Sequence, residues 1–375
     1  MPLSKPLGHA LVVANILCTL LVVSVHYASG DRSDIVEEFF RNGLARVSSP
    51  FFALIAGFFV YREVNDLAGY VEGLKKRARS LLLPYLLVTV SIAAFLWLRE
   101  AVARGRPAHP GFGEALLGSI VDPASVQLWF LRDVIFMVLL SHFIRTRVFW
   151  VDAAIVLVLG VGWMADFQPM PLLGSYHLIS IDVLFFFLLG GLLSGRPQAI
   201  ESVSRMPLPL LVGVTGVWAA LIAWRIAIDP HFDRWYVRAY TAESLFLYKS
   251  AILVGLMALI GWAGRIRSEA FKKLRAYTFF VYLFHLQPVQ AVAYHAVGRF
   301  LDKRLYFYVL FPTALLLTLA LAVLLSRFMP SAFALLTGGR GARRGDTRTG
   351  EGTVAAAAVG AVSAAVSSRP PVTSA

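Results

Sequence analysis

The chain has 375 residues, of which 58% are hydrophobic and 15% charged, and its mean hydropathy is +0.69. Soluble domains carry about 25% charged residues, so the composition excludes a soluble globular fold and indicates an all-α, polytopic membrane protein. The net charge of +13 therefore reads as loop charge facing anionic lipid headgroups or anionic substrates, not as a nucleic-acid surface.

Ten apolar stretches of spanning length are predicted, at about 10–28, 46–61, 80–98, 128–144, 149–165, 177–194, 208–228, 244–262, 277–297 and 306–326. The fourth and fifth are short. No small-residue cleavage site follows the first stretch, which is expected to remain as an anchor. Cys18, the single cysteine, rules out an intramolecular disulfide. Lys75, Lys76, Arg77 and Arg79, then Arg145 and Arg147, and later Arg265, Arg267, Lys272 and Lys273 fall in alternate connections. That bias places both termini in the cytoplasm. Residues 1–330 form the expected membrane domain. Residues 331–375, rich in Gly, Ala, Ser and Arg, are expected to be a disordered cytoplasmic tail.

Several polar residues interrupt the apolar stretches. Asn15 and His26 are eleven residues apart, which on a continuous helix returns to nearly the same face. Arg46, Arg132, Asp133, Asp182, Lys249, Tyr282 and His285 fall with His26 in the half away from the basic connections. A charge at the bilayer centre costs about 2.5–3.5 kcal/mol, so such a layer implies a shared water-accessible cavity. Arg132 and Asp133 are sequence neighbours, which do not face each other on a helix, so each is expected to find a partner on another span. Asp182 and Lys249 read as interhelical ion pairs or as cavity contacts. His285 reads as catalytic or as a hydrogen-bonded core residue. Lys76 and Arg79, three apart, read as a phosphate patch or as interfacial anchors. Gly57, Gly190 and Gly191 suggest close helix packing. No spacing suggests a metal site or a nucleotide-cradling loop.

Five stretches then stand in a familiar order: Leu21-Val22-Val23-Ser24-Val25-His26; Arg46-Val47-Ser48-Ser49-Pro50-Phe51-Phe52-Ala53-Leu54-Ile55-Ala56-Gly57; Lys76-Arg77-Ala78-Arg79 running into Leu83-Pro84-Tyr85; Leu128-Trp129-Phe130-Leu131-Arg132-Asp133; and Tyr277-Thr278-Phe279-Phe280-Val281-Tyr282-Leu283-Phe284-His285. Through them the chain resembles the membrane-bound acyltransferase-3 family of ten-span bacterial O-acyltransferases, over residues 10 to about 327. The resemblance implies an inner-membrane enzyme that moves an acyl group, acetyl or succinyl, from cytoplasmic acyl-CoA to a hydroxyl of an extracytoplasmic sugar or polysaccharide. It maps the family's catalytic His onto His26 and its CoA-phosphate residues onto Lys76 and Arg79. Arg46 and Arg132 fall at outer motif positions. The chain departs from the family at Asn15, where a basic residue usually stands and would contact the donor.

The expected chemistry makes His26 the general base for the sugar hydroxyl, and Arg132 the donor to the oxyanion of the tetrahedral intermediate. Asp133, Asp182, Tyr282 and Arg46 are expected to contact substrate. The expected partners are membrane lipids, acyl-CoA and a sugar acceptor, with no metal and no nucleic acid. The motifs do not specify oligomeric state. A lipid or polysaccharide-precursor transporter would also need an outer polar cavity and is the alternative reading.

Overall fold

A computed structural model describes residues 3–29, 34–63, 66–104, 111–123, 125–146, 148–173, 175–235 and 237–339. Helix α1, Lys5–Ser24, starts where the Ser4 hydroxyl accepts the Leu7 N–H, a side-chain cap that satisfies one of the orphan donors of the first turn. Asp34 caps the short α2, Ile35–Arg41, in the same way. A 3₁₀ turn at Leu44–Val47 runs directly into α3, Ser48–Glu63. Asp66 caps α4, Leu67–Arg77, and a π turn at Ala78–Leu82 joins it to α5, Leu83–Arg104.

The middle of the chain gives α6, Phe112–Val121, α7, Leu128–Ile144, and α8, Phe149–Met164. A small antiparallel hairpin follows, β1 Leu172–Leu173 against β2 Tyr176–His177, with Leu172 opposite His177. Next come α9, Ile181–Ser194, α10, Pro197–Ser204, α11, Leu208–Ile228, and α12, Ala242–Ala263. Thr241 and Ser244 form a reciprocal capping box on α12. The last elements are α13 Glu269–Leu274, α14 Thr278–Phe284, α15 Val289–Ala296, α16 Tyr306–Phe328 and α17 Pro330–Leu336.

All ten predicted stretches are helical, but they are not ten full-length spans. Among the described residues six helical stretches are long and apolar enough to cross a bilayer, or seven if α9 and α10, bent by 100°, count as one. Helices α7, α8 and α9 have 17, 16 and 14 residues. At 1.5 Å per residue the longest of these covers about 26 Å, short of a hydrocarbon core of about 30 Å. The ninth stretch is broken into α14 and α15 around His285 and Pro288. A proline there has no N–H to continue the helix.

Two further expectations are corrected. Helix α1 ends at Ser24, and the His26 and Tyr27 N–H groups bond back to Val23 and Ser24 in a turn. His26 therefore stands beyond the helix and does not share a continuous stripe with Asn15. The packed structure also runs past residue 330. In α17, Phe333 is buried against Tyr277 and Phe280 at ring distances of 6.0 and 5.6 Å. The apolar run Phe333-Ala334-Leu335-Leu336 has a surface to bury, which a disordered tail does not. Residues 340–375 of the expected tail lie outside the described residues.

Side-chain ties mark the two ends of the bundle. At one end Ser4 bonds Glu201 at 2.8 Å, His9 bonds the Ile266 carbonyl at 2.7 Å, and Arg62 donates to the Ser194 carbonyl at 3.3 Å. At the other, Arg225 pairs with Glu38 at 2.5 Å and Tyr308 donates to Asp34 at 2.7 Å. The termini of the membrane domain share the first end, here called basal. His26 lies at the distal end.

The centre of the bundle is α3 against α9. A Cβ on Gly57 would stand 1.8 Å from the Phe187 carbonyl oxygen, and one on Gly190 would stand 1.8 Å from that of Leu54. Small residues here let two backbones touch. Gly57→Ala is expected to force the helices apart and destabilise the detergent-solubilised protein by about 1–3 kcal/mol, the usual cost of overpacking. Gly213→Ala, on α11 with nothing within 4 Å of the new methyl, is expected to leave stability unchanged or raise it by about 0.5–1 kcal/mol. Thermal unfolding of the two variants side by side checks both signs.

Candidate active site

At the end of α14, before the break that leads to α15, the His285 backbone N–H closes the last turn on the Val281 carbonyl. The His285 ring adds a side-chain contact to the same turn. Its Nδ1 lies 3.0 Å from the Val281 carbonyl oxygen and 2.9 Å from that of Tyr282. Carbonyls only accept, so Nδ1 carries the proton and the neutral ring keeps a lone pair on Nε2. That Nε2 is buried and has no hydrogen-bond partner among the described residues.

The His26 ring lies beside it, centroid to centroid 5.2 Å. Their relative position is fixed by the next residue in the chain: the Tyr27 hydroxyl donates to the His285 carbonyl. Below the pair, Val23, Tyr27, Val281, Val289, Leu310 and Ala314 form one apolar cluster. The turn after His26 is held as well. Both carboxylate oxygens of buried Glu37 accept the Ser29 N–H, at 3.3 and 3.1 Å.

His26 opens onto a cavity of about 340 Å³ whose wall includes Tyr27, Arg99, Gln287, Gln290 and Tyr294. Gln287 Oε1 is a further buried acceptor without a partner among the described residues. A second cavity, of about 230 Å³, shares Ala28 with the first and is lined by Glu37, Arg41, Arg46, Arg234 and Trp235. The first arrangement holds a nitrogen base beside a hydrophobic seat, with amide and guanidinium donors opposite. It can deprotonate a hydroxyl and stabilise a developing oxyanion.

Other expected site residues divide sharply. Tyr282 is adjacent to the pair, its ring centroid 6.4 Å from that of His285, and its hydroxyl donates to the Gln127 carbonyl at 2.6 Å. Arg46 borders the second cavity, bonds Asn42 Oδ1 at 3.1 Å through Nε, and lies over the Trp235 ring at 5.6 Å. Arg132 and Asp133 do pair with each other, at 2.8 Å, against the expectation of separate partners. The long Arg side chain folds back over its neighbour, which backbone geometry alone does not forbid. Its remaining donors go to the Val121 carbonyl at 2.8 Å and the His177 carbonyl at 2.6 Å, and Asp133 accepts the Ser180 N–H at 2.8 Å. Arg132 thus ties α7 to the hairpin before α9.

Asp182 and Lys249 join a buried quartet with Asp166 and Arg234. Arg234 reaches Asp166 at 2.5 Å and Asp182 at 2.8 Å, and Lys249 reaches Asp166 at 3.1 Å and Asp182 at 3.9 Å. The Trp163 indole N–H and the Tyr240 hydroxyl complete it, donating to Asp182 at 2.7 Å and to Asp166 at 2.9 Å. Two carboxylates and two cations leave no net charge. Asn15 is buried within α1. Lys76 and Arg79 stand at the basal end, and α1, 20 residues long, separates that end from His26 by about 30 Å. The π turn places Arg79 outside α4, so the two cations do not share one regular helix face.

Sequence reasoning did not single out Tyr27, Arg99, Gln287, Gln290, Asp166 or Trp235. Gln287 and Gln290, two amides three residues apart in an apolar stretch, were a visible signal. The partnership of Asp166 with Arg234, 68 residues away, was not. Among the described residues no three His, Cys, Asp or Glu side chains gather as a metal-binding group.

A family model described as an acyltransferase domain, of the acyltransferase-3 type, matches residues 11–327. The succinoglycan biosynthesis protein ExoH of Rhizobium meliloti (strain 1021) is 25% identical over 337 residues, covering 86% of this chain and 87% of the relative. No solved structure matches.

Asp166 supplies a test of the quartet. Burial pushes its carboxyl up, but Arg234 and Lys249 outweigh burial and hold it below the usual carboxylate range. A depressed carboxylate stabilises the fold above its unfolded pKa, and that stability is lost as pH falls through the folded value. Asp166→Asn is expected to cost about 3 kcal/mol at pH 7, the lower end for a buried pair, since Asp166 sits in a turn at the bundle rim. The gap from wild type is expected to narrow below about pH 4. Thermal unfolding across pH reads both.

Proposed function

Since the chain belongs to the membrane-bound acyltransferase-3 family and is an acyltransferase, we propose that it moves an acyl group from acyl-CoA to a hydroxyl of a surface polysaccharide or its lipid-linked precursor, with His26 as general base. The observation that carries this reading is the ring of His26 set 5.2 Å from that of His285 at the mouth of a 340 Å³ cavity. The relative's role in succinoglycan biosynthesis supports a polysaccharide acceptor and makes acetyl and succinyl the donors to try.

In this reading the acceptor hydroxyl approaches from the distal end. His26 takes its proton as the oxygen attacks the thioester carbonyl. The new C–O bond forms, the carbonyl becomes a tetrahedral oxyanion, and the C–S bond then breaks. The CoA thiolate leaves and takes up the proton that His26 carries. His285 is a positioning residue, fixed as the neutral tautomer, so its lone pair on Nε2 favours the imidazolium that His26 becomes. Arg99, in the cavity wall, is free of the carbonyl bonds that occupy Arg132 and takes the oxyanion role. Arg132, Asp133, Asp182 and Tyr282 then serve by holding the walls, and Arg46 faces the acceptor.

Lys76 and Arg79 hold the CoA phosphates at the basal end, and Asn15 belongs to the donor side. The basic basal connections favour placing that end, with both termini of the membrane domain, in the cytoplasm of a bacterial inner membrane.

Radiolabelled acetyl-CoA and succinyl-CoA supplied to membrane vesicles, with the source cells' surface glycan as acceptor, test the reading. Wild-type protein is expected to label the glycan. His26→Ala is expected to lower the rate by about 10²-fold or more, the scale for loss of a general base. Equal labelling by both proteins would remove His26 from the chemistry. An absence of labelling from either donor, with correctly inserted wild-type protein, would overturn the assignment.

A further inference from the structure

The second cavity adjoins the first at Ala28, and of its lining residues only Arg46 enters the mechanism just described. Its rim carries Trp235, on the loop between α11 and α12, and 42% of that residue is exposed. The indole is held in place by its neighbours. Trp129 lies 6.0 Å from it, and the guanidinium groups of Arg46 and Arg234 sit at 5.6 and 4.8 Å. The loop itself is pinned by the Asp233 N–H bonding the Ala239 carbonyl at 2.8 Å and by the Trp235 N–H bonding Asp233 at 2.9 Å.

Beneath the indole the polar groups are unevenly satisfied. The carboxylates of Glu37 and Glu38 are taken by Arg41 at 2.6 Å and Arg225 at 2.5 Å. Donors are left over. Arg234 is 6% exposed, borders the cavity, and its Nη1 is buried with no partner among the described residues. Arg41, also in the wall, has a buried Nε in the same condition. The site therefore offers a part-exposed indole and the guanidinium-bearing residues Arg41, Arg46 and Arg234 in the wall of a cavity of about 230 Å³.

A pyranose ring has the matching chemistry. Its axial C–H face lies well on an aromatic plane, and its ring and hydroxyl oxygens accept hydrogen bonds. Size agrees as well, since the cavity accommodates about one sugar residue and is too small for a folded partner. The shared wall at Ala28 would bring a neighbouring residue of the same glycan to His26.

We propose that Trp235, with Arg234 and Arg41 beneath it, forms a sugar subsite that holds the acceptor glycan one residue away from the hydroxyl being acylated. The proposal rests on the reading of a glycan acceptor and adds the place where that glycan is gripped. It makes Trp235 a specificity-determining residue outside the reacting atoms.

The test separates binding from turnover. The probe is the source cells' surface polysaccharide, de-esterified with mild alkali and cut to short oligosaccharides. Saturation-transfer NMR with the full chain in nanodiscs reads binding, and acyl transfer reads KM and kcat. Trp235→Ala is expected to weaken oligosaccharide binding and raise acceptor KM by about tenfold or more, in line with about 1–3 kcal/mol for stacking on an aromatic, with donor KM and kcat little changed. Trp235→Phe, which keeps a flat ring, is expected to recover most of the binding. Since Trp235 is an exposed loop residue, neither change removes core packing, and a matched melting temperature confirms folding. Equal binding by wild type and Trp235→Ala overturns the subsite even when transfer is intact. Binding that depends on Trp235 without any acyl transfer sustains the subsite and overturns the transferase reading instead. No binding of oligosaccharide to wild type overturns the subsite.

Discussion

The neutral quartet of Asp166, Asp182, Arg234 and Lys249 is the constraint on which the distal half of the molecule depends. Each of these charges alone would be costly in an apolar bundle, and together they cancel. The quartet joins the turn after α8, the start of α9, the first turns of α12 and the loop before it. Its geometry therefore sets where that loop leaves the bundle. Because Arg234 belongs at once to the quartet and to the wall of the second cavity, the charge balance that stabilises the fold also shapes a surface open to ligand.

The histidine pair follows a similar economy on a smaller scale. A helix ends at a break, and His285 contacts its last turn with one ring nitrogen. The cap fixes which nitrogen bears hydrogen, and the other is left as a bare acceptor beside His26. Tyr27 then ties the turn carrying His26 to the backbone of the capped residue. Local backbone satisfaction and the placing of the His26 ring are thus the same set of contacts. A structural role for His285 and a role in supporting His26 do not compete.

The helical class and the positions of the helices were legible because an apolar run of spanning length has few alternatives. Helix lengths were less so. Ser24 ends α1 while the apolar pattern runs on to Ala28, and hydropathy does not register a helix end that is satisfied by a turn. His26 and His285 were visible as ionisable groups in apolar stretches, and the glycines of α3 and α9 as small residues in such stretches. Arg132 was visible for the same reason, yet its donors are occupied by the carbonyls of Val121 and His177. Those carbonyls belong to backbone that carries no sequence signal. Trp235 was hidden among the chain's eight Trp, since a membrane-belt indole and a ligand platform have the same composition.

Ala28 lines both distal cavities, so the two adjoin at that residue. In the proposed reading a glycan long enough to reach past Ala28 meets both cavities, and a shorter one meets a single cavity. Size selection of this kind acts by length: a monosaccharide occupies one cavity or the other, and an oligomer occupies both at once. On the proposed subsite the second contact comes at the effective concentration set by the first, which would favour a polymer over its free building blocks without reading any chemical group that differs between them.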